Sequence, residues 1–263
     1  MFKILINVLI FSLFFCSSVF AKEPSFVSLI PAITEIMYAI DAQDMLKAVS
    51  STCDFPQEAK KKPVIGDVFF INETLLLKIK PEYFLALDTS EFIINKYKRF
   101  GIKPVCLKFS DVNSIYDNIL LLGALTQKKE NAQKLVSNLK EKITLAKKSN
   151  KNPDKKILYV ISVQPFRTIG GKSFITSVIE ASGNHSVTGN LDTFYPVISL
   201  EYVINQNPDI VLVDCNCSDD LYIKKFFPDS KIIKMTKEQG DIINRPSVRV
   251  HKSVEFFAQL GSK

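Results

Sequence analysis

Histidine is the residue type that most limits the catalytic chemistry open to this chain, because only His185 and His251 occur in its 263 residues. A metal site built on three histidines is therefore excluded, and a Ser-His-Asp arrangement could use only these two side chains. His251 falls in a predicted terminal helix and His185 in a Gly-Asn loop, neither beside an evident nucleophile. Structural or surface roles are predicted for both, and an exported hydrolase of α/β architecture stays open as the alternative function.

Gly171-Lys172-Ser173 follows a predicted strand and is similar to the end of a phosphate-binding loop. The full pattern G-x-x-x-x-G-K-[ST] needs a glycine at position 166, where this chain has Phe166. We therefore reject a nucleotide site, and we interpret the glycines as turn residues between strand and helix within a predicted loop, residues 164–172.

Four cysteines follow the first 21 residues: Cys53, Cys106, Cys215 and Cys217. Four cysteines allow three pairings, and the sequence does not choose between them. The lone Cys-Asn-Cys segment is a weak zinc signal without a matching pair, so no resident metal or cofactor is predicted. A module that captures free transition metal is a third possibility, but its clustered histidines and carboxylates are missing.

Aromatic and cationic side chains beside predicted strand ends indicate a binding site. Ligands of open α/β sheets lie at the carboxyl ends of the strands, and loop aromatics are less easily assigned to the core than strand aromatics. Arginine can bind an anionic group through two parallel hydrogen bonds. The predicted ligand-binding residues are Phe55, Phe69, Phe70, Phe166, Arg167, Tyr195 and Arg245.

Two glutamates stand in the first turns of two predicted helices. Asn72 to Glu82 and Ser199 to Asp209 share one plan, in which a cap, an acid and an apolar helix precede Pro-acid and an apolar strand. A carboxylate at this place complements the helix dipole, which explains Glu73 or Glu201 taken alone. Their recurrence also predicts one protruding acidic side chain on each of two similar lobes, suited to a two-fold symmetric partner with basic residues.

One long amphipathic helix is predicted near the middle of the chain, over residues 126–150. Its apolar positions recur at helical spacing, and they are Ala132, Leu135, Val136, Leu139, Ile143 and Ala146. Such a helix would be roughly 35 Å long and could join two lobes, although an ordinary packed helix within one domain is the alternative. Strands and helices alternate on both sides, which predicts an α/β fold of two lobes with mostly parallel sheets, joined by this rigid helix.

The first residues have the pattern of a cleavable signal peptide. Lys3 precedes the apolar run of residues 4–15, and Val19 and Ala21 occupy the −3 and −1 positions of a cleavage site. Cleavage after Ala21 is favoured over lipidation of Cys16. The predicted segments are a signal peptide (1–21), an N-terminal lobe (22–125), the linking helix (126–150) and a C-terminal lobe (151–263).

The net charge of +7 comes largely from lysine clusters without interleaved aromatics, so we expect no nucleic-acid partner.

Several motifs occur in the order found in one known family: Phe26-Val-Ser-Leu-Ile-Pro-Ala-Ile-Thr-Glu-Ile36, Cys53-Asp-Phe-Pro56, Lys80-Pro-Glu82, Ile169-Gly-Gly171, Tyr195-Pro-Val-Ile-Ser-Leu-Glu201, Asn207-Pro-Asp209 and Arg245-Pro-Ser-Val-Arg249. They resemble the periplasmic binding proteins of ABC importers for cobalamin, ferric siderophores and haem.

This resemblance implies a non-catalytic monomer that holds one metal chelate between its lobes and docks on an inner-membrane permease with its ATPase. Cobalt or iron would then belong to the transported ligand, with no cofactor of the protein itself. Glu201 matches the docking glutamate of the C-terminal lobe, whereas the N-terminal counterpart falls on Thr74, beside Glu73. Tyr195 matches an aromatic pocket position, Arg167 would suit an acidic ligand, and further pocket positions fall near Thr52, Val68 and Leu87.

Overall fold

The N-terminal half of the chain forms a four-stranded, wholly parallel sheet. The computed structural model describes residues 23–217 and 220–261, so the predicted signal peptide, its cleavage site and Cys16 lie outside the described residues. The strands are β1 (Phe26–Ser28), β2 (Leu46–Val49), β3 (Tyr83–Leu87) and β4 (Lys103–Leu107), and their order in the sheet is β2-β1-β3-β4. Parallel neighbours need crossover connections, and three helices supply them, as the alternating pattern predicts.

The helices of this half are α1 (Pro31–Ala39), α2 (Glu73–Ile79) and α3 (Glu91–Asn95). Proline is favoured at the first position of α1 for two reasons: its ring fixes φ at a value suited to a helix, and the N–H that it lacks would have no partner in the first turn. Asn72 caps α2, accepting a hydrogen bond from the Leu75 N–H at 3.0 Å. Helix α3 continues directly into a 3-10 helix over Lys96–Phe100.

Two consecutive helices, α4 (Val112–Leu125) and α5 (Lys129–Lys148), connect the halves. The sequence predicted one helix from residue 126, but Gln127 has a φ of 59°, which breaks the helix before α5 begins. Over its 20 residues α5 is about 30 Å long, shorter than predicted. The helix packs against α4 on one side and against the last helix of the chain on the other. No helix in the described ranges is both long and apolar enough to span a bilayer.

The C-terminal half contains a five-stranded, mostly parallel sheet. Strand β5 (Lys156–Val163) pairs in parallel with β7 (His185–Ser186) and β8 (Ile210–Val213), and β8 pairs in parallel with β9 (Lys231–Lys234). The short β6 (Phe166–Thr168) returns antiparallel to β5. The prediction of a loop over residues 164–172 is therefore wrong for these three residues, whose alternating burial places Phe166 and Thr168 inside and Arg167 outside.

The remaining helices are α6 (Phe174–Ala181), α7 (Leu200–Asn205), α8 (Asp220–Phe226), α9 (Lys237–Ile243) and α10 (Val250–Gln259). Ser199 caps α7 through the Tyr202 N–H, just as Asn72 caps α2. Lys80 and Asn207 then both adopt a left-handed conformation, with φ of 47° and 51°, before β3 and β8. The two segments of similar plan therefore form the same cap-helix-turn-strand unit, and β3 and β8 both lie beside the first strand of their sheets, β1 and β5.

One hydrophobic core runs through both halves. It joins α1 and β1 to β5, α6 and α10, with α4 and α5 between them, and Phe26, Ile119, Tyr159 and Phe257 are among its members. Smaller clusters cover the outer face of each sheet. The two sheets therefore share apolar packing as well as a connecting helix.

Candidate functional site

A cavity of about 920 Å³ lies between the two halves. From the N-terminal half, the residues that end β3 and follow β4 line it: Leu87, Asp88, Thr89, Lys108, Phe109 and Ser110. From the C-terminal half, its walls are Tyr159, Ile161, Phe174, Ile175, Phe194, Tyr195, Asp214, Asn216, Asn244 and Pro246. The carboxyl ends of parallel strands thus face this space from both sheets, which is where α/β proteins bind ligands.

Apolar and aromatic side chains form most of the wall. Phe109 approaches from the N-terminal half, while Phe174, in the first turn of α6, approaches from the other. The rings of Phe194 and Tyr195 lie 6.4 Å apart with an interplanar angle of 37°, and both are about half exposed. Rings with accessible faces can pack on a flat ligand and hold it through area burial.

A pair of glycines holds these two aromatic residues in place. The Gly170 N–H donates to the Phe194 carbonyl at 2.8 Å, and the Gly171 N–H donates to the Leu191 carbonyl at 2.7 Å. A Cβ on Gly170 would lie 2.3 Å from the Thr193 carbonyl oxygen, which is closer than such contacts allow. The glycines predicted as simple turn residues therefore permit close backbone packing that positions the Phe194–Tyr195 wall.

The other end of the cavity is polar and is organised around Asp214, which directly follows β8. Its carboxylate accepts hydrogen bonds from the Tyr159 hydroxyl (2.8 Å), the Asn244 amide (3.2 Å) and both the backbone and side-chain N–H groups of Asn216 (2.9 and 3.0 Å). Burial opposes ionisation, but these hydrogen bonds together hold the pKa of Asp214 below its usual value. Burial and the neighbouring carboxylate raise the pKa of Tyr159, so its hydroxyl stays a donor.

Of the seven predicted ligand-binding residues, Tyr195 lines this cavity. Phe166 is buried in the C-terminal outer cluster, and Phe69 and Phe70 are more than 80% exposed in the loop before α2. Arg167 is exposed on β6 and forms no salt bridge within the described ranges. Of the further pocket positions, Leu87 does line the cavity. The ligand roles of the seven residues stay predictions.

Arg245 and Phe55 belong to a charged cluster that joins the two halves. Arg245 donates two hydrogen bonds to Asp54, and Arg249 donates two to Glu35, at 2.9 and 2.6 Å. The Arg249 guanidinium also stacks on the Phe55 ring, 4.4 Å from its centroid. The hydrogen bonds from Arg245 lower the pKa of Asp54 against the opposing effect of burial.

The two predicted docking glutamates are both exposed, but their surroundings differ. Glu73 accepts hydrogen bonds from Lys96 Nζ at 2.7 Å and from the Tyr97 hydroxyl at 3.1 Å, and these lower its pKa. Glu201 has no ion pair in the parts of the chain that the structure describes. Thr74, next to Glu73, is exposed as well.

Neither histidine contacts a nucleophile among the described residues. His185 Nε2 lies 3.2 Å from Asp154, and His251 Nδ1 lies 3.3 Å from the Val248 carbonyl oxygen. The four cysteines of the described ranges are free thiols, and no group of three His, Cys, Asp or Glu side chains there is placed to hold a metal. The hydrolase alternative would need a histidine within hydrogen-bond reach of a Ser or Cys in a cleft, and neither histidine has such a partner in these ranges.

Most residues that line the cavity were not predicted from the sequence. Phe109 follows β4, Tyr159 lies within β5 and Phe174 begins α6, and no local pattern marks any of them as a binding residue. Asp214 could have been predicted as a site residue, because it is an acid that directly follows a wholly apolar, buried strand. Asn244 had none, since only the tertiary fold brings its helix end to β8.

Comparisons with known proteins agree with this architecture. The profile of the family described as "Periplasmic binding protein" matches residues 27–241. A vitamin B12-binding protein of Vibrio parahaemolyticus is 28% identical over 251 residues, covering 92% of this chain and 91% of that protein.

Two solved structures share the fold. A possible iron-binding (periplasmic solute-binding) protein from Staphylococcus epidermidis has a TM-score of 0.79 at 24% identity, covering 90% of this chain and 98% of that one. The periplasmic heme-binding protein HutB of Vibrio cholerae has a TM-score of 0.78 at 20% identity, covering 91% and 99%. The resemblance inferred from the motifs and the predicted α/β fold with two mostly parallel sheets are both confirmed. The chain belongs to the periplasmic binding protein family, and its role is that of a solute-binding protein for an ABC importer.

Proposed function

We propose that this protein captures a metal chelate, either a cobalamin-like corrinoid or an iron-siderophore or haem, in the cavity between its halves. It would then deliver the chelate to an inner-membrane ABC permease with its ATPase. The observation that carries this proposal is the aromatic cavity at the carboxyl ends of both sheets. Its volume of about 920 Å³ lies at the upper end of the range of about 300 to 1,000 Å³ for small-molecule sites.

The shape of the wall supports a large, partly flat ligand. Phe109 and Phe174 face the cavity from opposite halves, so a planar macrocycle between them would bury both of its faces. The relative from Vibrio parahaemolyticus is a vitamin B12-binding protein, and the similar structure from Vibrio cholerae is a heme-binding one. Both named ligands are metal macrocycles, and both are therefore included in the proposal.

The place of action follows from the predicted signal peptide and the family. We propose export to the periplasm with cleavage after Ala21, and a monomer as the working form. Glu201 and Glu73 would then bind basic residues of the permease, one from each half. Both side chains are exposed, which is a requirement for such docking.

The proposal is tested by titrating the exported chain (residues 22–263) with cyanocobalamin, haemin and a ferric catecholate in parallel, following absorbance and tyrosine fluorescence. We expect saturable binding of one chelate below micromolar concentration. Tyr195→Ala should weaken it about tenfold, because a stacked ring contributes about 1 kcal/mol or more.

Tyr222→Ala is the matched control, since Tyr222 is an exposed tyrosine of the same half outside the cavity lining. Binding that Tyr195→Ala and Tyr222→Ala weaken equally, or no binding of any of the three chelates, would contradict the proposal.

A further inference from the structure

Asp214 is a buried carboxylate that nevertheless borders the cavity. Its residue is only 6% exposed, and every partner that the structure gives it in the described ranges is neutral. No lysine or arginine of those ranges forms a salt bridge with it. The C-terminal wall of the cavity therefore carries a negative charge that hydrogen bonds stabilise and that no cation of the described residues pairs with.

We propose that Asp214 is a charge filter of the cavity, which excludes ligands that present an anionic group to this wall and admits neutral or cationic ones. Tyr159, Asn216 and Asn244 are positioning residues that hold the carboxylate in place. The inference rests on the proposed function for its biological meaning, because it restricts the class of chelate that the cavity takes.

The other charged side chains of the lining do not cancel this effect. Asp88 and Lys108 both belong to the N-terminal wall, and both are exposed to solvent, where water and salt screen them. The cations predicted as anion partners, Arg167 and Arg245, are not among the lining residues, and Arg245 is already bound to Asp54. Among the residues that the structure describes, the buried part of the lining therefore has one charge, the negative charge of Asp214.

The expected selectivity is large enough to measure. Two like charges about 6 Å apart at an effective dielectric constant of about 20 repel enough to weaken binding roughly 100-fold. A ligand anion that stays at the solvent-exposed side would suffer less. Ligands whose polar groups are amides or hydroxyls avoid the penalty and can also donate hydrogen bonds to this wall.

The test uses two fluorescent dyes that share one aromatic body, the anionic anilinonaphthalene sulfonate and its uncharged parent phenylnaphthylamine. Both are expected to enter an apolar cavity, and weaker binding of both to Tyr195→Ala identifies the cavity as their site. The wild-type chain should bind the uncharged dye more tightly than the anionic one. In Asp214→Asn, which keeps the shape of the side chain, the ratio of the two dissociation constants should change at least tenfold in favour of the anionic dye.

Two further variants separate charge from architecture. Asp241→Asn makes the same charge change on the exposed face of α9 and should retain the discrimination between the two dyes. If Asp214→Asn melts well below the wild type, Asp214→Ser gives the same charge change with a smaller side chain.

An unchanged dye ratio in both Asp214 variants would overturn the proposal, and so would an Asp241→Asn variant that loses the discrimination as completely as Asp214→Asn does. The dyes report on the cavity whether or not a chelate binds. Failure of the charge filter is thus distinguishable from failure of the proposed function, which appears only in the chelate titration.

Discussion

Glu35 is a fully buried carboxylate on α1 whose partners come from the opposite half of the chain. Arg249, immediately before α10, donates two hydrogen bonds to it, and the Arg245 guanidinium lies 3.9 Å away. A buried charge without its partner is costly, because the protein interior solvates it poorly. The bridge between the halves therefore depends on individual side chains as well as on the helix that joins them.

Arg249→Ala should lower the free energy of unfolding by about 3 kcal/mol, since it leaves Glu35 buried with only the more distant Arg245. Urea unfolding of the exported chain measures this. The double variant Glu35→Gln/Arg249→Ala should lose less than the sum of the two single variants, because the stranded charge is gone. Additive losses, or a loss below about 1 kcal/mol for Arg249→Ala, would show that the pair does not stabilise the contact between halves.

The sequence predicted the types of residue that form the site better than their positions in the fold. Tyr195 could be assigned to the cavity from its motif, and Asp214 could have been found from its position after an apolar strand. Phe166 was misplaced because three residues of β6 are too few to show an alternating pattern. Arg245 was predicted to bind an anionic group of the ligand; in the structure it is bound to the chain's own Asp54, and its ligand role stays a prediction.

Helices α4 and α5 are in close contact at a glycine. A Cβ on Gly123 of α4 would lie 2.4 Å from the Ala132 Cβ of α5, and both residues are buried. Because Gly123 has no side chain, α4 and α5 can pack at this short distance.

Gly123→Ala should destabilise the protein by about 2 kcal/mol, because overpacking outweighs the gain of about 1 kcal/mol in helix propensity. Asp117→Ala, on the exposed side of the same helix, is the control and should be neutral or stabilising. Adding Ala132→Gly should recover part of the loss in urea unfolding. A Gly123→Ala variant as stable as Asp117→Ala would mean that the helices move apart without cost.

Long periodic segments were the elements that the sequence predicted well. The apolar spacing gave α5 to within three residues at its start, and the shared plan of α2-β3 and α7-β8 is confirmed by caps and left-handed turns in both. The break between α4 and α5 was missed because Gln127 is not a residue type that signals a left-handed conformation. Helix α4 was missed with it, although Asp111 and Ser114 form a capping box at its start.

The whole molecule combines two separate sheets with one shared core, and this combination restricts how it can move. A continuous apolar cluster, the Glu35–Arg249 pair and a hydrogen bond from the Val112 N–H to Ser177 Oγ (3.1 Å) all cross between the halves. Each would have to be broken in a wide opening. The sequence predicted a single rigid connection, whereas distributed contacts between residues far apart in the chain could not be read from local patterns.

The proposed contact of Glu73 and Glu201 with a permease is a property of the whole molecule, because it depends on how the two halves are held relative to each other. Glu201→Lys should reduce uptake of the chelate at least tenfold in cells where the variant replaces the wild-type protein, because a like-charge contact costs several kcal/mol. Glu73→Lys should reduce uptake less, since Lys96 and Tyr97 already hold the Glu73 carboxylate. Glu238→Lys, in the first turn of α9, is the matched control for a glutamate at a helix start.

The affinity of the purified variants for the chelate should stay unchanged, because neither Glu73 nor Glu201 lines the cavity. This separates a docking defect from a binding defect. Uptake that falls equally in all three charge-reversal variants would point to a general effect of net charge. Uptake that stays normal in Glu201→Lys would mean that the permease contacts another surface of the molecule.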